Sequence, residues 1–161
     1  MLYNIYERSY ENMDFTEKER NMLEELKSHE KLCIEKYKRH AESAHDEQLK
    51  SLFQGLSAEE SEHLDSLEQI SSGTVPPING AEKPLPVFTA KYKAMLCPEK
   101  SADMYLCNDL LSGEKQVSHL YDTATFEFRD KNVRDFLNHI QKDEQNHGKI
   151  IYDYMTANGM Y

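Results

Sequence analysis

Apolar residues along most of this chain recur three and four positions apart, the spacing of one face of an α-helix. Four such stripes stand out. Leu23, Leu26, Cys33, Tyr37 and Ala41 form the first; Leu49, Leu52, Leu56, Leu67 and Ile70 form the second. Cys107, Leu111, Val117, Tyr121 and Phe128 form the third, and Val133, Leu137, Ile140, Ile151 and Tyr154 the fourth. No period-two alternation competes with them. Thr16 followed by Glu19 predicts a capping box that opens a helix running to about Ala44. A second helix is expected from about Asp46 to Ile70, with Gly55 a tolerated weak point. The proline- and glycine-rich stretch SSGTVPPINGAEKPLP, residues 71–86, cannot be regular helix, and residues 87–100 are ambiguous. The third helix is expected over Ser101–Arg129 and the fourth over Asn132–Ala157, ended by Asn158-Gly159.

The expected fold is therefore all-α: one domain spanning 1–161, built as a four-helix bundle of two hairpins. Hairpin one covers about 16–70, a long crossover about 71–100, and hairpin two about 101–157. The first twenty residues, with Tyr3, Tyr6 and Tyr10 among polar neighbours, read as a frayed tail rather than a docking arm.

Composition narrows the function. Charged residues make up 30% of the 161 positions and the net charge is −10, which argues against a nucleic-acid partner and against binding an anionic membrane surface. No apolar run approaches a membrane span, and the N-terminus lacks a signal-peptide core, so the chain is expected in the cytoplasm unless lysis or spore assembly carries it elsewhere. The three cysteines, Cys33, Cys97 and Cys107, include no C-x-x-C, which excludes a rubredoxin or zinc-ribbon module. Cys33 and Cys107 read as small apolar residues.

Every stripe carries the same anomaly. Glu30 interrupts the first, Glu60 and His63 the second, Glu114 the third, and Glu144 and His147 the fourth. Each of Glu30/Glu114, Glu60/Glu144 and His63/His147 is separated by 84 residues, as are Tyr37 and Tyr121. This is an internal duplication of a helical hairpin, or its functional equivalent. Within each hairpin the two glutamates are equidistant from the turn, so all six side chains are expected in one layer.

The composition of 19 glutamates and seven histidines makes about one Glu-x-x-His expected by chance, and Glu42–His45, which has no duplicate, is read as surface. A duplicated pair that points inward with two further glutamates is different. Four carboxylates in an apolar layer repel one another and stay desolvated. Two divalent cations remove both costs, and carboxylate with imidazole suits iron or manganese. His29, His40, His119 and His139 fall off the stripes and are expected in solvent, as is most of the acidic run Glu59, Glu60 and Glu62, with Glu60 alone turned inward. Tyr37 and Tyr121 are candidate catalytic phenols beside the metals.

Two glutamates plus two Glu-x-x-His pairs, one on each of four helices, resembles the ligand set of ferritin-like di-iron carboxylate proteins. HEKLCIEKY and EESEHLDSL look like the first hairpin of rubrerythrins and bacterioferritins. From MYLCNDLLSGEKQVSHLYDTAT to DYMTANGMY, the second half resembles the coat F domain of spore coat proteins. Val117 stands where rubrerythrins carry a further glutamate, and the fifth helix of iron-storage cages is not expected.

The resemblance implies a pair of iron or manganese ions, Glu30, Glu60 and His63 on one side and Glu114, Glu144 and His147 on the other, with Glu60 and Glu144 bridging. It implies oxidase, peroxidase or catalase-like chemistry on oxygen or peroxide. The alternative it carries is a structural spore coat protein braced by metal, with other coat proteins as partners. A homodimer is expected as for bundle proteins generally.

Overall fold

A computed structural model of the chain describes residues 13–80, 83–92 and 96–161. It contains four helices, α1 (Glu17–Ser43), α2 (Glu47–Ser71), α3 (Pro98–Thr125) and α4 (Lys131–Ala157), and no strand among the described residues. The N-terminal tyrosines Tyr3, Tyr6 and Tyr10 lie outside them.

Local chemistry sets each helix start. Thr16 and Glu19 form the expected capping box. Asp46 accepts from the backbone N–H of Gln48, and Asp130 from those of Asn132 and Val133. α3 departs most from expectation, beginning at Pro98 instead of Ser101 and ending at Thr125 instead of Arg129. Its start is set by Pro98, whose fixed φ suits a first helical position, and by the Cys97 sulfur, 3.4 Å from the Lys100 N–H. At its end the Phe126 and Glu127 N–H groups bond back to Thr123 and Ala124, and Asp130 beyond them caps α4. Gly159, at φ +61°, closes α4 in the left-handed conformation that glycine adopts freely.

Short turns make α1–α2 and α3–α4 antiparallel pairs, and the two hairpins meet along α1–α3 and α2–α4. The core falls into two apolar clusters. One gathers Leu23, Leu26, Leu67, Val117, Tyr121 and Ile140; the other gathers Tyr37, Leu56, Cys107, Leu111, Ile151 and Tyr154. On every helix the inward glutamate or histidine falls between them. Phe53, not Leu52, is the fully buried residue of that α2 turn.

The duplication extends to both ends of the bundle. Buried Glu19 on α1 accepts from the Arg129 backbone N–H at 2.9 Å and its guanidinium at 3.0 Å, tying α1 to the α3–α4 turn. Asp103, 84 positions later on α3, accepts from the backbone N–H groups of His45 and Asp46 at 2.8 and 3.0 Å, tying α3 to the α1–α2 turn. Each hairpin thus grips the other's turn. The crossover is anchored near its end, where Asn158 Oδ1 accepts from Lys91 and Tyr92 N–H and the Tyr92 hydroxyl donates to Asp103.

Candidate metal centre

Glu30, Glu60, His63, Glu114, Glu144 and His147 are all buried and converge in one layer. They form two overlapping sets. Glu30, Glu60, His63 and Glu144 each offer a ligand atom within 4.8 Å of the others, and so do Glu60, Glu114, Glu144 and His147. Glu60 and Glu144 belong to both. His63 Nδ1 lies 3.0 Å from Glu60, 3.1 Å from Glu144 and 4.0 Å from Glu30. His147 Nδ1 lies 3.2 Å from Glu60, 3.6 Å from Glu144 and 3.7 Å from Glu114. The two imidazoles stack across α2 and α4 with centroids 5.6 Å apart.

The hydrogen bonding of the layer is incomplete in a particular way. Glu30 Oε2, Glu60 Oε1, Glu114 Oε2, both oxygens of Glu144 and His147 Nδ1 are buried without a hydrogen-bond partner. Among the described residues every such side-chain atom belongs to these six positions. Buried polar atoms are normally paired, and each exception needs a cause. His147 Nδ1 sits 3.2 Å from Glu60 Oε1 yet is not aligned to bond with it. Within the layer His63 Nδ1 bonds to Glu60 Oε2 at 3.0 Å, and the other donor atoms crowd one point without bonding to one another, which suits a shared cation.

The remaining carboxylate oxygens are held. The Tyr121 hydroxyl donates to Glu30 Oε1 and the Tyr37 hydroxyl to Glu114 Oε1, so each phenol crosses to the other hairpin's glutamate. Burial, then the nearby carboxylates, keeps both phenols protonated far above their usual range.

Charge within the layer is strongly redistributed. Burial, reinforced by Glu144 and Glu60, lifts Glu30 well above the carboxylate range. Burial likewise pushes Glu114 up to about 8, against the pull of His147. For Glu60 and Glu144 burial also acts upward, but the two imidazoles beside them outweigh it and hold both below the usual range. Burial would discharge His63 and His147, yet the surrounding carboxylates lift both well above the usual histidine range. Protons thus take the role that two dications would fill, which is the compensation a buried tetracarboxylate requires.

Two further acids back the layer, one read as solvated in the sequence and one that the sequence reading passed over. Glu59, of the run expected on the surface, approaches His147 Nε2 at 3.2 Å, and Asp143 approaches His63 Nε2 at 3.5 Å. Each immediately precedes an inward glutamate of the layer, and the two are themselves 84 positions apart. A carboxylate on the far nitrogen fixes the ring and leaves Nδ1 for the layer. His40, also expected in solvent, is mostly covered, 2.8 Å from Asp109. Glu42, His45 and His119 are exposed as expected. Cys107 is fully buried and burial pushes its thiol up to about 12, while half-buried Cys33 is raised further by burial and the four carboxylates. Both are inert thiols at neutral pH.

No helix among the described residues is long and apolar enough to cross a membrane. No curated protein and no solved structure matches the chain. Residues 102–161, which take in most of α3, all of α4 and the C-terminal Met-x-x-x-Gly-x-Tyr, match the Coat F domain family.

Proposed function

We propose that this is a spore-coat-related protein carrying a dinuclear iron or manganese site of the ferritin-like kind, with oxidase or peroxidase-type activity toward oxygen or peroxide. The observation that carries the metal reading is the set of unpaired buried donor atoms, which among the described residues is confined to five of these six residues. The Coat F match supports the coat association.

Glu30, Glu60 and His63 would hold one ion and Glu114, Glu144 and His147 the other, with Glu60 and Glu144 shared between them. Redox-active ions in such a pair supply the two electrons that reduction of oxygen or peroxide requires. The chain's own groups prepare the rest. Tyr37 and Tyr121 orient the two outer glutamates and keep a transferable hydrogen at the edge of the layer. Glu59 and Asp143 hold the imidazole rings in one orientation. The apolar clusters above and below exclude water.

The test is elemental analysis of protein loaded anaerobically with Fe(II) or Mn(II), followed by oxidant consumption. Close to two ions per chain are expected, one for each donor set. Glu144→Ala, which removes a residue common to both sets, should lower uptake and abolish consumption. A chain that takes up neither metal overturns the reading. A chain that binds two ions and consumes neither oxidant leaves a coat protein braced by metal.

A further inference from the structure

We propose that the two metal positions are inequivalent and fill in order, and that Lys83 of the crossover imposes that order; the inference rests on the metal reading above. By ligands alone the halves are duplicates, with Glu30 and His63 matched by Glu114 and His147. The groups behind the histidines break the symmetry. His63 Nε2 faces Asp143, whose other neighbour is His139 on the same helix at 3.6 Å. His147 Nε2 faces Glu59, and the second oxygen of Glu59 lies 3.4 Å from Lys83 Nζ. Lys83 also reaches Glu62 at 3.7 Å.

A carboxylate behind an imidazole makes that ring a better ligand. An ammonium on the same carboxylate withdraws part of that benefit and adds a positive charge on the outer side of His147, behind the carboxylate. Both effects weaken the Glu114–His147 side. The duplication cannot cancel them, because Lys83 belongs to the crossover, which occurs once in the chain. Accessibility acts in the same direction: the His63 side chain is 9% exposed and that of His147 1%. The first ion therefore enters at Glu30, Glu60 and His63, and the second completes the Glu114–His147 side.

The experiment is an anaerobic titration of the whole chain with Co(II), followed by visible absorption against a competing chelator. Two resolved steps are expected, the first tighter by about tenfold or more. Lys83→Met alters only an exposed side chain. It should tighten the second step roughly threefold to tenfold while leaving the first unchanged. His147→Ala should keep the first step and His63→Ala should lose it. Two equivalent ions in the wild type, or a Lys83→Met titration that moves both steps together or neither, overturns the order. A wild type that takes up no cobalt overturns the metal reading itself, and the order falls with it.

Discussion

Each outer glutamate of the layer accepts one phenolic hydroxyl and turns its other oxygen to the centre unpaired. Removing the phenol's oxygen leaves a second buried acceptor unsatisfied. Tyr121→Phe should therefore cost about 1–3 kcal/mol of stability in protein prepared with a chelator, read from urea unfolding. A variant as stable as the wild type would show that the phenol does not hold Glu30. The same layer sets a pH dependence. Glu114 keeps its proton to about 8 in the fold, against 4.5 for an ordinary glutamate. The folded chain thus binds more protons across that window, and its stability must fall as pH rises through it. Glu30, His63 and His147, all raised, act in the same direction. Chelated protein should accordingly lose stability between about pH 5 and 8, and Mn(II) should reverse the loss; stability that climbs with pH in chelator would contradict this charge arrangement. The six residues were legible in the sequence because charge on an apolar stripe is conspicuous, and doubly so when repeated after 84 positions. Glu59 and Asp143 were not, since a half-exposed acid one position off the stripe resembles any solvated carboxylate. Their own 84-residue spacing was the available signal.

At the level of helices and turns, Glu19 does two jobs. It completes the capping box of α1 and accepts the Arg129 backbone and guanidinium, so one carboxylate fixes a helix start and an inter-hairpin contact. Burial acts upward on it, yet Arg129 and Thr16 outweigh burial and hold the carboxyl at about 2. A depressed carboxylate contributes stability above its unfolded value of 4.5 and loses it as pH falls toward 2. Glu19→Gln should cost about 1–3 kcal/mol at neutral pH, toward the lower end because Arg129 is exposed to solvent. The gap between variant and wild type should then close as pH falls from about 4.5 to about 2, followed by denaturant midpoints. A gap that stays constant would mean the carboxylate's charge is irrelevant to the clamp. Elements were legible where their signals are local, as with Thr16–Glu19 and Asn158-Gly159. The start of α3 was only half legible: Pro98 is a local start signal, but the sulfur cap at Cys97 is not a recognised one, and the crossover before it is fixed by distant groups such as Asn158.

For the molecule as a whole, the layer is both the junction of all four helices and the place where the core is interrupted. Two apolar clusters lie on either side, and the hairpins grip each other's turns at the ends. Between the two clusters, which join the hairpins, lies a stratum of carboxylates whose mutual repulsion is relieved by protons. Ions that replace those protons would attach α1 and α2 to α3 and α4 at once, because each donor set draws on both hairpins. Binding to the folded chain alone stabilises it by mass action, roughly 2.7 kcal/mol for each ion at a hundredfold excess over its Kd. For two ions that is about 5 kcal/mol, and a chain of this size gains about 2–4 °C in Tm per kcal/mol. Saturating Mn(II) should therefore raise Tm by about 10–20 °C, and a chelator should reverse it. Glu60→Gln removes a residue common to both sets and should forfeit most of the shift, whereas Glu42→Gln, an exposed Glu-x-x-His glutamate outside the layer, should keep all of it. An equal metal-induced shift in the two variants would place the ion on the acidic surface instead of in the layer.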